Sequence, residues 1–197
     1  MIVNVSKFKI AQGAFADVFI DLHSRTAFKL FKSYKHPDLN GTGKEEIGET
    51  KTNAYRRKVF DTEIKAYNSI QASSLLKQFT PKYHGTLKVK VLDNCGKDIS
   101  FQYLRRCCYK MDFIEGENEK IDLLDDKIIK ILEKKIGFNL DVIKEAFIDM
   151  AVIYTSDSSV IYNENEFKII DFATLDFSKF EPSKNSLGEN PYDNLNI

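Results

Sequence analysis

Cysteine and histidine, the side chains that most often carry chemistry, are few in this sequence and poorly spaced for it. Cys95, Cys107 and Cys108 offer no C-x-x-C pair, so two thiolates are not set to reach one metal. Three is an odd number for a disulfide framework, and free thiols in a reducing compartment are the expectation. His23, His36 and His84 are scattered over turns and strand ends, without metal-ligand spacing. Arg105-Arg106 would dock a phosphate or an acidic partner, or would simply face water as exposed strand charges. The small-residue turn Ala11-Gln12-Gly13-Ala14-Phe15-Ala16-Asp17 has bare backbone N–H groups of the kind that close over phosphate oxygens. Alone, it reads as a plain β-turn. Lys29, Glu63, Asp112, Asp157 and Asp171 complete the set, and each taken singly is an ordinary solvent-facing charge.

The elements that would position these residues follow from periodicity. Alternating or β-branched runs predict strands at Lys7–Ile10, Val18–Leu22 and Thr26–Phe31, with turns at 11–17 and at His23-Ser24-Arg25. The polar stretch Lys35–Thr52, with Pro37, Gly41, Gly43 and Gly48, predicts a loop. Val59, Ile64, Tyr67 and Ile70 recur near helical spacing, which predicts a helix over Asn53–Leu76 with Asn53 as its N-cap. Two more strands are expected at Thr86–Leu92 and Phe101–Ile114, around the turn Asp93–Lys97. After Gly116 helical spacing predicts helices over Leu123–Ile136 and Leu140–Ile153, then a hairpin of Val160–Tyr162 with Phe167–Ile170. The residues beyond Pro182 read as a loose tail.

Five segments, in order, resemble the nucleotide-binding machinery of protein kinases. Gly13, Phe15 and Val18 match the glycine-rich loop, although Ala11 and Ala16 stand where glycines are usual. Ala27-Phe28-Lys29 matches the Ala-x-Lys of the third strand, and Phe60–Tyr67 matches the helix whose Glu63 would hold Lys29 toward the phosphates. These two residues lie 34 positions apart, longer than usual, and the 35–52 loop accounts for the excess. Tyr109-Lys110-Met111-Asp112-Phe113-Ile114-Glu115-Gly116 is similar to the segment joining the two lobes. Met111 would guard the adenine pocket, and the backbone of Asp112 and Ile114 would bond the adenine edge. Phe167–Ala173 resembles the strand and Asp-Phe-Gly turn, with Asp171 as the Mg²⁺ ligand and Ala173 in place of glycine.

The resemblance implies an α+β, two-lobed protein-kinase-like fold: a β-rich N-terminal lobe with one long helix over about 1–115, and a truncated helical C-terminal lobe over about 116–181. It also implies ATP and Mg²⁺ as cofactors, and a protein Ser/Thr as phosphate acceptor.

The stretch Ile153–Tyr162 departs from the family pattern most. Tyr154 stands where the catalytic loop has His, and Asp157 is its only carboxylate, 14 positions before Asp171 against roughly 18 in the family. Ser159 aligns with the metal-binding Asn. Either Asp157 serves as base on a rebuilt loop, or the domain binds nucleotide without transferring phosphate and acts as an interaction module. Only 26 residues follow Asp171, a truncation similar to that of kinases which bacterial pathogens inject into host cells, so a host protein is a candidate partner.

Composition narrows the alternatives. Lys plus Arg equals Asp plus Glu at 29 each, and a neutral chain lacks the basic excess that nucleic acid or anionic membrane rewards. No apolar run is long enough to span a bilayer. Met1–Lys7 turns polar too early for a secretory signal, which leaves the cytoplasm or export by an injection machine as the expected location.

Overall fold

A computed structural model describes residues 1–39, 44–120, 130, 133, 134, 139, 141, 142, 145, 152–163 and 166–174. At 44–47, 119, 120, 152–158, 173 and 174 it describes the backbone alone. The chain is mixed α+β, with three sheets and one long helix among the described residues. Five strands form the largest sheet, in the order β2 (Lys9–Gln12), β3 (Ala16–Asp21), β4 (Thr26–Lys32), β7 (Tyr103–Asp112) and β5 (Tyr83–Thr86). A parallel pair joins β1 (Ile2–Asn4) to β6 (Lys90–Leu92), and a third sheet orders β10 (Phe167–Thr174), β9 (Val152–Tyr162) and β8 (Glu117–Lys120). No helix among the described residues is long and apolar enough to cross a membrane.

The chain divides into two compact units. The first takes in Met1–Asp61 and His84–Phe113; the second takes in Thr62–Tyr83 and the described residues of 114–177.

In the first unit, side-chain alternation gives the large sheet two different faces. Phe19, Phe28, Leu30 and Cys108 point to one side, where Val3 of β1 and Val91 of β6 close a buried apolar cluster. Phe31 points to the other, with its ring 5.3 Å from Phe60 of α1 (Lys44–Ala72). Covered on both faces, β4 is buried along nearly its whole length. The turn after β3 forms as expected: the Asp21 carboxylate accepts the N–H groups of His23 and Ser24.

Several boundaries differ from expectation. The expected strand 86–92 is two strands in two sheets, because Leu87 N–H still bonds Cys108 of β7 while Lys90 N–H already bonds Met1. The strand expected over 101–114 is shorter, Tyr103–Asp112, since Ser100–Gln102 make a 3-10 turn. The expected 35–52 loop becomes helical from Lys44, with a break at Gly48 (φ 79°, ψ 163°) that only glycine adopts cheaply. Asn53 is therefore inside the helix, and its Oδ1 accepts Tyr34 N–H at 2.8 Å instead of capping an end.

In the second unit, β10 packs on the end of α1 and the 3-10 turn Leu76–Gln78 that follows it. Tyr67 lies 5.6 Å from Phe172, Phe79 stacks on Phe167 at 5.2 Å, and Ile169 N–H bonds Phe79 O. The helix expected over 140–153 gives way to β9 at Val152, where β-branched and aromatic residues favour a strand. The rest of the helices expected at 123–136 and 140–153 lies outside the described residues, apart from helical positions at 130, 133, 134, 141, 142 and 145. The tail beyond Pro182 lies outside them too.

Candidate functional site

The first unit gathers much of the expected set on one face of the large sheet. Val18 is paired across the ladder with Lys29, Ala27 with Met111, and Thr26 with Asp112. Because positions two apart share a face, Val18, Ala27, Lys29 and Met111 all lie on the face that carries Phe31. The Lys29 ammonium sits 5.7 Å from the centre of the Phe31 ring. Lys29 is half-buried, whereas Met111 is buried. The Asp112 carboxylate pairs with His84 Nε2 at 2.6 Å. Phe113 N–H bonds Arg25 O, and no described residue accepts the Ile114 N–H. Between Phe113 and Ile114 the chain passes from the first unit to the second.

The turn between β2 and β3 is held from both faces of the sheet. Lys32, on the far face, sends its ammonium to Gly13 O at 2.8 Å. Arg56, on α1, bonds Ala14 O at 3.2 Å and Phe15 O at 3.1 Å, and its guanidinium lies over the Phe15 ring. No peptide bond here is cis. In a trans peptide the N–H points opposite to the carbonyl, so the Ala14 and Phe15 N–H groups are turned away from the cations. Lys32 and Arg56 thus fix the Gly13, Ala14 and Phe15 carbonyls from opposite faces, and the Ala14 and Phe15 N–H groups have no acceptor among the described residues.

Lys32 belongs to a buried polar cluster that sequence reasoning did not find. Its ammonium is 3.0 Å from Asp17 Oδ1 and 2.6 Å from Asp38 Oδ2. Asp17, only 2% exposed, also accepts from Tyr103 Oη at 2.9 Å and meets His36 Nε2 at 3.1 Å. Burial alone would raise the Asp17 carboxyl; the bonds from His36, Lys32 and Tyr103 and the Lys32 charge outweigh it and hold the carboxyl below its ordinary value. The Tyr103 phenol is pushed up by burial and then by the Asp17 charge. Asp17, His36 and Asp38 offer ligand atoms close enough together for a metal, but Lys32 already supplies the cation there. Only the unusual density of charge in a strand end and its following turn could have signalled this cluster.

Neither a protein-family model nor a curated protein sequence matches this chain.

In the second unit the expected catalytic loop is not a loop. Ser159 is paired with Ile170 and Tyr154 with Phe172, so Thr155–Ser158 on β9 stand opposite Asp171 alone on β10. Both strands continue on either side of this four-against-one bulge. Asp171 occupies the left-handed region at φ 65°, which costs a non-glycine residue about 1–2 kcal/mol and is least unfavourable for Asp and Asn. Asp157 and Asp171 thus belong to one irregularity, and the buried Ser159 borders it. Gly116 packs where a Cβ would lie 2.3 Å from Tyr162 O, so β8 approaches β9 only because this residue is glycine. Glu63 is on α1 and 3% exposed, a depth at which a carboxylate requires a compensating partner.

Proposed function

We propose that this chain binds ATP and transfers its terminal phosphoryl group to a hydroxyl of a partner protein, through a two-lobed kinase-like fold. The observation that carries this reading is the bulge that sets the Asp157 segment against a left-handed Asp171. Residues held in the left-handed region at ladder irregularities cluster at functional sites. In this reading Val18, Ala27 and Met111 wall the adenine, with the backbone of Asp112 and Ile114 on its edge. The Ala14 and Phe15 N–H groups meet phosphate oxygens beside Gly13, and Lys29 neutralises them.

Asp171 and Ser159 are hard oxygen donors of the type Mg²⁺ takes, and the metal they would hold supplies charge neutralisation to the triphosphate. Asp157 orients the acceptor hydroxyl and receives its proton. A host protein is one candidate acceptor in this reading.

A second reading, a nucleotide-dependent interaction module without phosphoryl transfer, rests on the departure of Ile153–Tyr162 from the family pattern, with Tyr154 where His is usual. Incubating the purified chain with γ-labelled ATP, Mg²⁺ and candidate acceptor proteins separates the two. The enzyme reading expects label in protein at least tenfold above that seen with Asp171→Ala. Label equal in the two chains, with thermal stabilisation by ATP retained, points to the module. No label and no stabilisation removes both.

A further inference from the structure

The face of the large sheet opposite α1 carries a second candidate site. There the β4–β7 ladder loses register: Leu30 is paired with Cys108 but Lys32 with Tyr103, so Leu104–Cys107 stand opposite Phe31 alone. Arg106, within that bulge, has φ 66°. Consecutive strand residues ordinarily point to opposite faces. Here the bulge and the left-handed residue break the alternation, and Arg105 and Arg106 both line one cavity of about 380 Å³. Leu30, Val89, Val91 and Leu104 supply apolar lining, and Lys88 adds a third cation. Phe101, also at the cavity, is 56% exposed, an uncommon position for so large an apolar side chain. Among the described residues no carboxylate pairs with Lys88, Arg105 or Arg106.

A hollow of ligand size with apolar lining and cations of one sign around it has the elements of a small-molecule site. The left-handed Arg106 costs about 1–2 kcal/mol, and Arg57 of α1 holds the bulge on either side of it through Arg105 O and Cys107 Sγ. We infer that this cavity binds a soluble anionic amphiphile, its apolar body against Leu30, Val89, Val91 and Leu104 and its phosphate or carboxylate head on Lys88, Arg105 and Arg106. The site binds and does not react. Burial pushes the Cys107 thiol up to about 11 and the Cys108 thiol higher still, so neither offers a thiolate near neutral pH. This inference does not depend on the phosphoryl-transfer reading, because Lys29 and its neighbours lie on the other face.

Isothermal titration of the full chain with octyl phosphate, below its micelle concentration, tests the site. One saturable equivalent is expected, with binding at least tenfold tighter than for octanol or for inorganic phosphate alone. Arg105→Ala and Arg106→Gly should each weaken it about tenfold with thermal stability retained, glycine being at ease in the left-handed region. Lys29→Met should bind octyl phosphate as the unaltered chain does. Equal affinity for octanol, equal affinity for inorganic phosphate, or arginine variants that fold and bind normally would each overturn the site. Capture of the chain by phosphatidic acid vesicles without any octyl phosphate binding would also overturn it, in favour of a lipid surface.

Discussion

Two ladders in this molecule lose step in the same way, with four residues facing one, and they place their strain on opposite sides. Between β9 and β10 the left-handed residue is Asp171, the single residue of the short side. Between β4 and β7 it is Arg106, one of the four on the long side. In the first, strain fixes one carboxylate opposite a polar segment. In the second, it breaks strand alternation so that two neighbouring cations share a cavity with apolar walls. A bulge supplies a place where side chains escape the two-residue period; residue type and the position of the strain decide which chemistry collects there.

The comparison can be broken by removing charge and strain separately. Asp171→Ala and Asp171→Gly should both lower label transfer by about 10³-fold, the scale of losing one fixed electrostatic group from an active site. The glycine variant should nevertheless be more stable than the alanine variant by about 1 kcal/mol, or roughly 2–4 °C in Tm, because only glycine adopts φ 65° without cost. Equal melting temperatures would show that the left-handed backbone stores no strain. Arg106→Gly against Arg106→Ala repeats the test at the other bulge, with the same stability order.

Next in size is the anchor of the β2–β3 turn. Lys32→Met leaves Asp17 buried with its cation gone, and a loss of about 3–5 kcal/mol is expected from denaturant melts. Asp17→Asn should cost less, since an amide keeps the side chain's size and can still accept from Tyr103.

The smallest effect is on acid stability. The folded-state carboxyl of Asp17 lies below its unfolded value of 3.8. Its contribution is thus complete above the unfolded value and disappears as pH falls through the lower, folded one. Asp17→Asn should flatten the stability profile in that acid window and leave the slope near neutrality unchanged. A profile parallel to that of the unaltered chain would contradict the assignment.

The sheet that bears Val18, Ala27, Lys29 and Met111 was legible in the sequence because alternation and turn residues are local signals. So was the hairpin strand Phe167–Ile170, although its continuation through Asp171 to Thr174 was not. The parallel pair β1–β6 was not, since three-residue strands 88 positions apart carry no local pattern. Thr155–Ser158 read as a loop because the polar run hides the ladder continuing on both sides of it. Neither the left-handed backbone of Arg106 nor the burial of Lys32 follows from residue type. Both depend on contacts the chain makes only after folding, and the polar cluster beneath the β2–β3 turn is invisible for the same reason.

The central claim is that the β2–β3 turn around Gly13, Ala14 and Phe15 meets a nucleotide's phosphates together with Lys29. Amide NMR of the ¹⁵N-labelled chain titrated with Mg-ATP tests it most directly. The account predicts saturable movement of the Ala14, Phe15 and Ile114 resonances, weakened at least tenfold in apparent affinity by Lys29→Met. Resonances that stay still at millimolar Mg-ATP, or that move identically in the Lys29→Met chain, would contradict it.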